Sequence, residues 1–141
     1  MTERKYGIHS APRLWLLLGM LICSLISAAA ARGQEKLVSC RYLKAQGQTI
    51  QLELSIGRPA PTTVIVIQNL PPGAAIVSAS PPVKRFDAAS GEAKWLLKGL
   101  TSGQRLLEMK LSTPIQAREL RGQIRYKHPA TGAMVAEHIA P

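Results

Sequence analysis

From Lys36 onward, apolar side chains recur at every second position, and glycine or proline breaks the pattern about every ten residues. A repeat of two puts alternate side chains on opposite faces of an extended strand, so each segment can bury one face and wet the other. Helical spacing is missing from this part of the chain. The sequence therefore predicts an all-β domain, an antiparallel sandwich of about seven to eight short strands. An immunoglobulin-like architecture is the natural form, because two sheets of roughly three to five strands share one core at this length.

The clearest segment is 49–56, where Ile50, Leu52, Leu54 and Ile56 alternate with Gln51, Glu53 and Ser55. Arg58-Pro59-Ala60-Pro61 ends it, since proline removes ladder donors. The β-branched run 63–67 suits a strand covered on both faces, and Asn69-Leu70-Pro71-Pro72-Gly73 closes it. A short strand is predicted over 74–79, before Ser80-Pro81-Pro82, and Asp87-Ala88-Ala89-Ser90-Gly91 has the composition of a turn. Segment 92–98 follows, with Ala93, Trp95 and Leu97 on one face, and after Gly99-Leu100-Thr101-Ser102-Gly103 comes 105–111, with Leu107, Met109 and Leu111 inward. Leu120, Gly122, Ile124 and Tyr126 then alternate with Arg121, Gln123, Arg125 and Lys127. His128-Pro129-Ala130-Thr131-Gly132 makes a hairpin loop into a last strand at 133–139, and a first strand at 36–44 completes the set.

The other strong pattern lies at the start. Arg4, Lys5 and Arg13 precede the apolar stretch 14–26, and Ser27 with Ala28, Ala29, Ala30 and Ala31 supplies the small residues that signal peptidase accepts. The sequence predicts a secretory signal peptide over 1–31, with a signal helix, and a mature domain over 32–141. The competing reading is an uncleaved membrane anchor, which Gly19, Ser24, Ser27 and the alanine-rich end disfavour. Cys23 is preceded by Ile22 where lipidation needs a small residue, and no adjacent arginines mark the twin-arginine route. The expected location is the periplasm or the outside of the cell, reached by the general secretory route, with no stable membrane anchor after cleavage.

The 141 residues hold 18 basic and 8 acidic side chains, a formal charge of +10. Setting aside Arg4, Lys5, Arg13, Arg32 and Glu3, which lie in or beside the leader, leaves 14 basic and 7 acidic. Such a domain is drawn to anionic surfaces, although charge alone names no partner.

The apolar strand before Asn69-Leu70-Pro71-Pro72-Gly73, the Trp95 strand, Gly99-Leu100-Thr101-Ser102-Gly103, Thr113-Pro114, and Tyr126 ahead of Thr131-Gly132 come in an order that resembles the immunoglobulin-like repeat domains of bacterial surface and envelope proteins. The resemblance covers residues 64–134. It implies that the Leu-Pro-x-Gly turn and the later Leu-x-x-Gly turn each join neighbouring strands of a sandwich, and it implies no catalytic residue. The chain departs from that family in carrying one unit instead of tandem copies, with no wall-sorting or C-terminal membrane segment, which argues against an adhesive stalk.

Catalytic constellations are hard to assemble from these residues. After the leader there is one aspartate, Asp87, in a turn, with two histidines, His128 and His138, and no serine in a nucleophile elbow. The acidic residues are scattered singly, and no zinc or calcium spacing appears, so no metal or other cofactor is expected. Cys40, the one cysteine after the leader, reads as a small strand residue; a monomer is expected in preference to a Cys40-linked dimer. Trp95 reads as core instead of a sugar-stacking platform.

The most pointed feature is the stripe Arg121, Arg125 and Lys127. These side chains leave one face of a strand, neighbours two apart being separated by roughly 6.6 Å, and so present a ladder of charge to an anionic glycan or lipid. The plainer reading is that they guard an edge strand from pairing with other proteins. Nucleic acid is disfavoured by the compartment and by the lack of interleaved aromatics. The sequence thus points to an exported, non-catalytic binding module that contacts another envelope protein or an anionic polymer. A structural subunit built through edge strands is the alternative, and a small enzyme of unfamiliar type comes last.

Overall fold

The computed structural model describes residues 36–141; the predicted leader, with Ala28, Ala29, Ala30 and Ala31, lies outside the described residues. Eight strands follow one another: β1 Val38–Ile56, β2 Thr63–Asn69, β3 Ile76–Ser80, β4 Arg85–Asp87, β5 Glu92–Lys98, β6 Gly103–Ile115, β7 Arg121–Lys127 and β8 Met134–Ile139. They form two antiparallel sheets, one in the order β1-β6-β3 and the other β4-β5-β2-β7-β8. A single 3-10 turn, Ala117–Glu119, carries the chain from β6 to β7.

The fold is all-β and sandwich-like because the alternating apolar faces of both sheets meet in one core. Ile50, Leu52, Leu54, Leu107 and Met109 from the first sheet face Val64, Val66, Trp95 and Ile124 from the second, all buried. Each such aliphatic side chain contributes roughly 1.5–3 kcal/mol by leaving water. Trp95 is 1 % exposed and gives its indole N–H to the carbonyl oxygen of Pro81 at 2.8 Å, so its one polar atom is satisfied inside the core.

Two elements differ from the sequence expectation. The strands expected at 36–44 and 49–56 are one continuous element, β1, of 19 residues. Contacts within it require it to double back: Gly57 N–H donates to Leu37 O at 2.7 Å, and Arg41 Nε donates to Glu53 Oε1 at 2.8 Å. A straight strand would hold residues 41 and 53 roughly 40 Å apart. Gly47, with φ +77, sits at the reversal, in the left-handed region that favours glycine. The other difference is β4, a three-residue strand in a stretch with no alternation of its own, which pairs Arg85–Asp87 with Glu92–Lys94 across the predicted turn.

That turn is held by a close approach. Leu70 N–H donates to Gly91 O at 2.9 Å, and a Cβ on Gly91 would lie 2.4 Å from Leu70 O. Leu70, from the Asn-Leu-Pro-Pro-Gly segment, belongs to the same buried apolar cluster as Trp95 and Ala93.

Candidate functional site

Strand β7 runs between β2 and β8, so Arg121, Arg125 and Lys127 do not guard a sheet edge. They stand exposed on the outer face of an interior strand while Gly122, Ile124 and Tyr126 are buried on its inner face. Alternation in the sequence assigns a face to each side chain, but it says nothing about which strands lie alongside.

Cross-strand register extends the stripe into a surface. Arg125 lies opposite Ile65 of β2, which lies opposite Leu96 of β5; Asn69 of β2 lies between Arg121 and Glu92. Lys94 and Lys98 share the outer face of β5, and Arg85 of β4 lies opposite Lys94. The result is two columns of cations, on β5 and β7, separated by β2 and so roughly 10 Å apart. Ile65, half-buried, and Ile67, buried, floor the space between them. Lys94 and Lys98 are parts of this surface that inspection of the β7 stripe alone does not reveal.

The counter-charges are few and lie at one end. Asp87 and Glu92 face each other across β4 and β5, and Glu92 pairs with Lys94 at 2.7 Å. Arg121 donates from Nη1 to Arg118 O at 2.9 Å and to Leu120 O at 2.8 Å, which pins its guanidinium over the end of β7. Arg125 Nε donates to Gln123 Oε1 at 2.8 Å, a neutral brace that leaves its charge uncancelled. Among the described residues, Lys98, Arg121, Arg125 and Lys127 enter no ion pair. The opposite face of the molecule is balanced: there Glu53 pairs with Arg41 at 2.7 Å, and Glu108 accepts from Gln51 at 2.8 Å.

The remaining chemistry-bearing side chains serve the fold. His128 is buried, and its Nδ1 accepts the backbone N–H groups of Ala130 at 3.2 Å and Thr131 at 3.3 Å, which shapes the loop before β8. Asp87 Oδ1 accepts from Ala89 N–H at 3.0 Å, and this turn hydrogen bond, with others from Ser90, holds its carboxyl below the usual range. Burial pushes the Cys40 thiol up to about 12. Among the described residues, no three of the His, Cys, Asp and Glu side chains come together.

One polar cluster escaped the sequence reading. Gln68 is wholly buried on the inner face of β2; its Oε1 accepts from Tyr42 Oη at 2.6 Å, and its Nε2 donates to Asn69 O at 3.0 Å and Arg121 O at 3.3 Å. Gly122 makes room for it, since a Cβ there would lie 2.7 Å from the Tyr42 hydroxyl. The Gln68 bond to Arg121 O anchors the start of β7 from beneath, directly under the cationic face. Compared with models of known protein families, with curated proteins and with solved structures, the chain matches none.

Proposed function

We propose that this protein is an exported, non-catalytic binding module of a bacterial envelope, an immunoglobulin-like sandwich that holds an anionic envelope polymer on the outer face of its five-stranded sheet. The observation that carries the reading is the pair of cation columns on β5 and β7, Lys94 and Lys98 with Arg121, Arg125 and Lys127, set on a rigid interior part of the sheet. Placement on interior strands favours a repeating anion, because the backbone is already ordered by pairing on both sides and only the side chains remain to be fixed on binding. Export rests on the basic start, the apolar stretch 14–26 and the small residues Ala28 to Ala31.

Support for the immunoglobulin-like form lies in the neighbour relations. The β1-β6-β3 group corresponds to the B, E and D strands of such a domain, and β2-β7-β8 to C, F and G. The strands beside β2, namely β4 and β5, come after β3 in the chain, which is a departure from that order.

Assembly through sheet edges is the competing reading. The edges for it are β3 and β4, of five and three residues, and the longer β1 and β8. The discriminating experiment is retention on a heparin column developed with salt. Changing Arg121, Arg125 and Lys127 to alanine is expected to weaken binding by about a hundredfold, taking ~1 kcal/mol for each basic residue at an anionic surface. Elution of the triple variant at the wild-type salt concentration would refute the reading.

A further inference from the structure

On one side of the molecule the flanking strands stop short. Strand β3 pairs with β6 only over Glu108 to Leu111, and β4 pairs with β5 only over Glu92 to Lys94. Residues 96–98 of β5 and 105–107 of β6 therefore run past the ends of their neighbours, and a cleft of about 350 Å³ opens between them. Leu97, Leu100, Leu106 and Leu107 line it, and among the described residues Lys98 and Arg105 are the charged residues of its wall. Among the described residues, neither cation enters an ion pair and no acidic side chain lines the cleft. Leu106 is 53 % exposed, a large apolar side chain left in water. Pro81 forms part of the wall and is tied to the core by its hydrogen bond from Trp95.

An apolar cleft with a few convergent polar groups is the usual form of a small-ligand site, and this one lies within the usual size range of roughly 300–1,000 Å³. We propose that it binds an anionic amphiphile, with the acyl chain against the leucines and the carboxylate or phosphate head between Lys98 and Arg105. The charge of the mouth selects an acid over a neutral amphiphile of the same length. The apolar wall selects a longer chain over a shorter one, about fourfold for each methylene buried. This site goes beyond the polymer-binding face and shares Leu96 and Lys98 with it.

The test is isothermal titration calorimetry of the full chain with decanoate, octanoate and octyl glucoside. Saturable one-to-one binding of decanoate is expected, about fifteenfold tighter than octanoate by the increment of two methylenes. Lys98→Glu with Arg105→Glu, both at exposed positions, is expected to weaken decanoate by at least about tenfold while leaving octyl glucoside binding unchanged. Alanine at Arg121, Arg125 and Lys127 is expected to leave decanoate binding unaltered, so failure here and failure of the polymer-binding face are read separately. Decanoate binding that is absent, or that survives the Lys98→Glu and Arg105→Glu changes at full strength, would overturn the proposal.

Discussion

Gln68, Tyr42 and Gly122 show how one buried polar side chain constrains its surroundings. All of Gln68's side-chain hydrogen-bonding atoms have partners in the core, and no buried side-chain nitrogen or oxygen among the described residues lacks one. Tyr42→Phe removes the donor to Gln68 Oε1 and strands it, at a cost of about 1–3 kcal/mol in urea unfolding. Adding Gln68→Leu is expected to cost less than the two changes summed, because the orphaned acceptor disappears with its residue. Tyr42 was readable as an apolar position in a strand, but its partner lies 26 residues away and no periodicity links them. The same neighbourhood sets an alkaline limit. Burial raises the Cys40 thiol from 9.0 to about 12 and the Tyr42 hydroxyl from 10.0 to about 12, so the folded chain keeps protons that the unfolded chain gives up. Stability from these groups is fully present below about pH 9 and is lost as pH rises toward about 12. In a chain carrying Cys23→Ser, the half-buried Cys40 thiol, its pKa raised, is expected to react more slowly with iodoacetamide at pH 8 when native than after unfolding; equal rates in both states would contradict its partial burial.

Strands with a strict repeat of two were legible, and their burial follows the alternation: Ile50 to Ile56, Ala93 and Trp95, Leu107 to Leu111, and Gly122 to Tyr126. What stayed hidden depends on contacts distant in sequence. Strand β4 is too short to show a period, and it exists because Phe86 packs on the core while Arg85 and Asp87 pair with β5. The polar run Gln46-Gly47-Gln48 marks the reversal at Gly47, and what it left hidden is that strand pairing runs on through the reversal, making 38–56 one element. The β4–β5 turn makes a sharp demand in return. Gly91→Ala would place a methyl group 2.4 Å from a backbone oxygen at φ +70, and a loss of roughly 3 kcal/mol in thermal or urea unfolding is expected. A wild-type unfolding midpoint for this variant would mean that the turn is not packed against Leu70 as described.

For the whole molecule, the informative quantity is where the charge sits. A net charge of +10 gives attraction to anions of every kind, and it reads the same whether basic residues are spread evenly or gathered on one face. Three members of the cationic face were legible in the sequence because they share one strand. Lys94 and Lys98 join them only through the register of β2 with β5 and β7, which sequence alternation leaves open. Localised charge and diffuse charge therefore differ in one direct comparison at equal net charge. Heparin affinity is to be measured for Arg121, Arg125 and Lys127 changed to alanine, and for Arg41, Lys44 and Lys110, three exposed basic residues off that face, changed likewise. A loss of about a hundredfold in the first variant, with a loss several times smaller in the second, is expected; equal losses in both would contradict a docking face and leave only the overall charge.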